Sequence, residues 1–347
     1  MKFAAALLLS SSAMIAAPSA NAAAPDVVVS IKPIHSLVAA IMKGVGEPKL
    51  IVDGAASPHT FTMKPSNART LEGADMVFWV GHGMEAFLEK PLEALASKAT
   101  VVTLEDAPGL EKLPFREGGA FEAHDHGDHD HAHEGHDHDH EGGEKHAGHD
   151  DDGHDHDKGE KHAEHEGHEH HDHDHGAFDT HLWLDPSNAK AFAAEIEKQL
   201  VQADAENAAT YQKNAADLIK QIDSMDAEIK DTLSPVKDKP FIVFHDAYQY
   251  FEKHYGVKVA GSITVSPETI PGAERVKQIH EKVTQLGATC VFAEPQFEPK
   301  LVKVVTEGTP AKSSTLDPEA ATLTAGPDLY FQLMRGLATS MKTCLSQ

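Results

Sequence analysis

Apolar and polar positions divide the chain into three regimes. Near the start, short apolar runs alternate with helical patterns. Residues 26–31 form a β-rich run, and Leu37, Val38, Ile41 and Met42 follow at helical spacing. Residues 49–52, 74–81 and 100–104 read as further strands, with helices over 65–71 and 84–95. The pattern then vanishes, because residues 124–175 hold almost no apolar side chain. From Ser187 to Ser234 there is no Gly or Pro, and Tyr211, Ala215, Leu218, Ile222, Met225, Ile229 and Leu233 make one apolar stripe. A long helix is expected there, with a bend or break around 203–207. After Pro235 the alternation resumes. Strands are expected at 241–244, 257–263, 289–293 and 311–316, and helices at 272–285, 299–307 and 329–345.

Strands that alternate with helices predict mainly parallel sheets. The expected fold is α/β, with two α/β lobes joined by one long rigid helix and a cleft between them. The first lobe spans 23–185 and includes a flexible excursion at 121–177. The helical segment spans 186–234 and the second lobe 235–347.

Charge changes the picture of the excursion. The formal net charge is −25, and 19 of the 26 histidines lie between His124 and His175. That stretch carries 12 Asp and 7 Glu against 3 Lys, a net −16, which leaves −9 for the rest of the chain. Such a stretch cannot bury enough apolar surface to offset its ordering entropy. Neutral imidazole is a common metal ligand, so an auxiliary metal-binding role is expected. Its ligands include His124, His126, His129, His131, His133, His136, His138 and His140, then His170, His171, His173 and His175. The acidity argues against nucleic acid as a partner.

Residues 1–22 read as an export signal. Lys2 precedes an Ala-rich apolar run, and Ala20, Asn21 and Ala22 offer small residues for cleavage. The expected location is the periplasm. In an exported chain, Cys290 and Cys344 favour one disulfide over a metal-binding pair.

Four polar residues stand in turns or just beyond apolar runs, beside Pro or aromatic neighbours: His59, His181, His245 and Asp317. The first two belong to the first lobe, the others to the second. A cleft site drawing on all four suits tetrahedral Zn²⁺, although imidazole also suits copper and nickel. His245 reads equally as a general base with Asp246 as its partner. His35, His82, His254 and His280 lack this context and read as ordinary structural side chains.

Five segments resemble the periplasmic zinc-binding proteins of bacterial high-affinity zinc ABC importers. They are Pro58-His59 with Lys64-Pro65-Ser66; His181-Leu182-Trp183-Leu184-Asp185-Pro186; Phe244-His245-Asp246-Ala247-Tyr248 and its continuation to Phe251; the run from Ala288 through Glu294-Pro295-Gln296-Phe297; and Thr315-Leu316-Asp317-Pro318. An acidic His-rich loop before the second segment is also a feature of that family. The resemblance implies that His59, His181 and His245 bind Zn²⁺ as the transported ligand, and that Cys290 pairs with Cys344. Some zinc-binding relatives carry Glu directly before the first of these histidines. This chain has Pro58 there, so Asp317 or water would be the fourth ligand. The implied partners are an inner-membrane zinc permease and its cytoplasmic ATPase, served by a monomeric protein that is not an enzyme.

Two other functions compete. A zinc hydrolase would need a general base near an open water position, and no His-Glu-x-x-His helix occurs. A zinc store would rely on the His-rich stretch alone and hold many ions of similar affinity.

Overall fold

The computed structural model describes residues 24–116, 121, 178–264, 270–287, 289–297 and 299–347. The expected export signal and the His-rich stretch lie outside the described residues.

In the first lobe, β1 (Val27–Val29), β2 (Lys49–Leu50), β3 (Met76–Trp79) and β4 (Thr100–Thr103) form an all-parallel sheet in the order β2-β1-β3-β4. The helices α1 (Lys32–Ile41), α2 (Pro65–Glu72) and α3 (Glu89–Leu95) lie on the connections. Every residue of β1 and β3 is buried, so both read as unbroken apolar runs without alternation. Pro33 and Pro65 open α1 and α2, where a missing N–H leaves no intrahelical bond unmade.

The helical segment is two helices rather than one, α4 (Pro186–Ala203) and α5 (Ala208–Leu233). Asp204 makes the break. Its carboxylate accepts from the backbone N–H of Asn207 at 3.3 Å, from Asn207 Nδ2 at 2.8 Å and from the Tyr211 hydroxyl at 2.8 Å. These bonds satisfy the start of α5 instead of prolonging α4. The helices fold back on each other, and Lys190 meets Asp223 across the pair at 2.7 Å. The connector is therefore α5 alone, 26 residues and ~39 Å long at 1.5 Å per residue. Its buried residues are the seven of the apolar stripe, from Tyr211 to Leu233.

In the second lobe, β5 (Pro240–His245), β6 (Lys258–Thr264), β7 (Cys290–Ala293) and β8 (Lys312–Thr315) form a second parallel sheet, ordered β6-β5-β7-β8. The helices here are α6 (Gln249–Tyr255), α7 (Ala273–Leu286), α8 (Lys300–Thr306) and the closing α9 (Leu329–Leu345). Alternation along β5 splits the packing. Phe241 and Val243 join a core that continues through α9, α5, α4 and α1 to β1 and β3. Ile242 and Phe244 face the opposite way, into a smaller cluster with Ile279, Val283, Val302 and Val305 from α7 and α8. The two sheets thus share one core, with α5 packed on α1, α6 and α9. Among the described residues no helix is long and apolar enough to cross a membrane.

Cys290 on β7 and Cys344 on α9 form a disulfide across 54 residues of chain. Replacing both with Ser is expected to lower the unfolding free energy by about 4 kcal/mol on the chain-entropy model. Urea unfolding under non-reducing conditions checks this, and an unchanged midpoint would contradict it.

Candidate metal centre

Three histidines reach one point from three different local structures. His59 sits in a single 3-10 turn, Pro58–Thr60, between β2 and α2. His181 precedes a second 3-10 turn, Leu182–Leu184, whose three side chains are fully buried. Asp185 then caps α4, accepting from the Ser187 N–H at 2.7 Å, and Pro186 follows at the first helical position. His181 is thus held between a packed turn and a capped helix. His245 ends β5, at the carboxyl edge where parallel sheets gather ligand groups. Glu319 joins them from the segment between β8 and α9.

The ligand atoms of His59, His181, His245 and Glu319 all lie within 4.8 Å of one another. His181 Nε2 is 3.3 Å from His59 Nε2 and 3.3 Å from His245 Nε2, and His59 Nε2 is 3.5 Å from Glu319 Oε1. The far side of two rings decides what these short distances mean. His181 Nδ1 lies 2.7 Å from Asp179 Oδ1, and His245 Nδ1 lies 2.8 and 2.7 Å from the two Glu294 oxygens. A carboxylate accepts a proton bond, so in each neutral ring Nδ1 carries the hydrogen and Nε2 carries a lone pair. When both rings are neutral, the His181 and His245 Nε2 lone pairs face each other, an arrangement that a cation, or a proton on His245, relieves. With metal–nitrogen bonds of about 2.0–2.1 Å, the edge of a tetrahedron is ~3.3–3.4 Å. The observed spacing matches that edge. Carboxylates behind ligating histidines also fix ring orientation and raise ligand basicity.

Protonation divides the cluster. Burial, reinforced by the neighbouring imidazoles, holds His59 well below the usual histidine range, and burial with His245 nearby does so for His181. Both stay neutral and able to ligate. Burial also pulls His245 down, but Glu294 overcomes it through charge and hydrogen bond, and the net direction is upward. Burial pushes Glu319 up to about 8, with Glu294 adding to the rise and His245 and Ser57 opposing it. Burial raises Asp179 to about 6, against the backbone N–H of His181 and the charge of Arg116.

Asp317 stands outside the cluster. Its carboxylate accepts from the Ala321 N–H at 2.8 Å, the Thr322 N–H at 2.9 Å and the Thr322 hydroxyl at 2.8 Å. An Asp before Pro commonly serves such a turn, and Glu319, two residues on, supplies the carboxylate beside the imidazoles. Asp246 does not partner His245. It pairs with Arg116, which also pairs with Glu252. The other described histidines have separate partners. His35 meets the Pro48 carbonyl, His82 meets Glu89, His254 meets Asp185 and Asp226, and His280 meets the Val305 carbonyl. Asp179, Glu294 and Glu319 were not singled out in the sequence. Asp179 lies two residues before His181, a spacing that offered a signal; Glu294 lies 49 residues beyond His245 and offered none.

The chain is similar to known proteins along most of its length. The family model described as "Zinc-uptake complex component A periplasmic", ZnuA, matches residues 27–344. A high-affinity zinc uptake system protein ZnuA from Brucella suis is 57% identical over 321 residues, covering 92% of each chain. Its counterpart from Paracoccus denitrificans is 37% identical over 340 residues, covering 98% of this chain and 97% of the other. Among solved structures, a crystal structure of ZnuA superimposes with a TM-score of 0.68 at 22% identity, covering 92% of this chain and 99% of that one. The periplasmic zinc-binding protein TroA from Treponema pallidum gives 0.70 at 17% identity, covering 93% and 100%.

At neutral pH, metal-free Glu319 is mostly protonated, since its pKa is raised to about 8, and a bound cation requires the carboxylate. Binding at pH 7 is therefore expected to release at least about one proton, from Glu319 and from any imidazolium at His245, and affinity to rise by at least about tenfold per pH unit below about pH 8. Calorimetry in buffers of different ionisation enthalpy reads the release. Heats that are the same in every buffer would contradict it.

Proposed function

The chain belongs to the ZnuA family of periplasmic zinc-uptake components, and from that premise we propose that it captures Zn²⁺ at His59, His181, His245 and Glu319 and delivers it to an ABC permease. The family consists of substrate-binding components, not enzymes. The observation that carries the site assignment is the pair of 3.3 Å contacts that His181 Nε2 makes with His59 Nε2 and His245 Nε2, with the Nδ1 atoms of His181 and His245 bonded to carboxylates. Three nitrogens and one carboxylate oxygen suit zinc in a closed four-coordinate site. The same softness disfavours manganese, magnesium and calcium, which prefer oxygen-rich sets.

Delivery to a permease requires that the ion be held in a form a partner can reach and release. The cluster lies where segments from both lobes meet, and His59 retains partial exposure at its turn. Periplasmic location, the inner-membrane permease and its ATPase follow from the uptake role that the relatives are named for. The stretch 124–175 is read as an auxiliary zinc-gathering segment. Its composition supports this, as does its attachment just before Asp179 and His181.

Zinc titration with metal counting tests the assignment. The mature protein is expected to hold one tightly bound ion, with weaker ions on the His-rich stretch. A triple variant, His59→Ala, His181→Ala and His245→Ala, should lose the tight ion and keep the weak ones. Survival of tight binding in that variant would move the primary site to the His-rich stretch and favour storage. Removing residues 124–175 should leave the tight ion in place, and its loss on deletion would refute the auxiliary role.

A further inference from the structure

The segment that carries Glu319 belongs to the second lobe, yet side chains of the first lobe hold it. Lys32 is buried at the start of α1. Its ammonium donates to the carbonyls of Ala320 at 3.2 Å, Ala321 at 3.0 Å and Leu323 at 2.8 Å. An ammonium has three N–H donors, and here all three go to one turn. Just before Glu319, the Trp183 indole N–H donates to the Pro318 carbonyl at 2.9 Å. Ala320 has φ +57°, a left-handed conformation that a residue with a side chain keeps only when its surroundings hold it there. Glu319 therefore sits between two anchors, Trp183 on one side and Lys32 on the other. Ser57 and Gln296 then orient its carboxylate, donating to Oε1 at 3.3 Å and to Oε2 at 3.0 Å.

We infer that Lys32 is a positioning residue for the metal. By closing the 320–323 turn it holds the Glu319 carboxylate against the three imidazoles, and so couples a second-lobe ligand to the first helix of the first lobe. The inference rests on the proposed zinc site and deepens it. A purely structural Lys32 would stabilise the chain without altering how the fourth ligand meets the ion. A positioning Lys32 changes the coordination itself.

The test uses the mature protein and the variants Lys32→Met, Glu319→Gln, their double variant, and Ser36→Ala. Ser36 also grips this segment, donating to the Pro327 carbonyl at 3.1 Å and accepting from the Tyr330 N–H at 3.0 Å, but at the end remote in sequence from Glu319. Zinc affinity is read by chelator competition and coordination by the visible absorption of the Co²⁺-substituted protein. Lys32→Met is expected to weaken zinc by about 10- to 100-fold, the usual range for outer-shell partners of metal ligands. Its cobalt bands should lose intensity as they do in Glu319→Gln, and the double variant should bind no more weakly than Glu319→Gln alone. Ser36→Ala should keep both affinity and spectrum, whatever it does to stability. Native affinity and spectrum in Lys32→Met, or losses that add in the double variant, would overturn the inference. Should Lys32→Met not fold, Lys32→Gln, whose amide has two N–H donors in place of three, is read by the same two measurements, and an unaltered affinity and spectrum overturns the inference there too. If Glu319→Gln itself changes neither quantity, it is the ligand assignment of Glu319 that fails.

Discussion

The structure depends on one electrostatic constraint. Imidazole nitrogens are brought within 3.3 Å of each other in a buried seam, while the far-side Nδ1–H groups of two rings donate to carboxylates. In water such groups would turn away or share a proton. Here the rings are fixed by a capped helix after His181 and a sheet edge at His245, so they cannot turn away and are left to share a proton or a cation. Buried polar groups are tolerated when partnered. For these nitrogens the natural partner is a cation, and the spacing suits one with short bonds to nitrogen.

Holding lone pairs together requires a rigid frame, and the packing supplies it. The two sheets do not sit on separate cores joined by a free linker. One apolar cluster runs from β1 and β3 through α1, α4, α5 and α9 to one face of β5 and β7. The disulfide ties β7, which leads to Glu294, to the helix α9 that packs against α1 and α5. Hydrogen bonds across the seam add direction, with Trp183 and Lys32 gripping the turn around Glu319. Motion that separates the lobes must break these contacts together, so a preorganised site is the consequence of the shared core.

The elements of local origin were legible in sequence. The apolar stripe from Tyr211 to Leu233 is the buried face of α5, because helical periodicity reports burial directly. The central strands β1, β3, β5 and β7 were visible as apolar runs, since they are buried on both faces, whereas β2, β4 and β8 are largely exposed. The break at Asp204 was indicated only as a weak point. A sequence pattern does not reveal that one carboxylate will bond Asn207 and Tyr211 and end α4.

At the site, turn and strand-end positions nominated His59, His181, His245 and Asp317, the family resemblance singled out the three histidines, and tertiary structure brought their Nε2 atoms together. The fourth group shows where local reading stops. Asp317 and Glu319 are two residues apart and equally acidic, and no pattern says which faces the imidazoles. The choice is made by the turn, where Asp317 spends its oxygens on the N–H groups of Ala321 and Thr322 while Lys32, 288 residues away from Ala320 in sequence, fixes the carbonyls. The pairing of His245 with Glu294 likewise spans 49 residues. Sequence by itself determined the periodic elements, the parallel sheets and the histidine candidates, because short-range periodicity and residue chemistry encode those. Only the tertiary structure decided which carboxylates stand beside and behind the histidines, because those contacts join parts of the chain that no local pattern links.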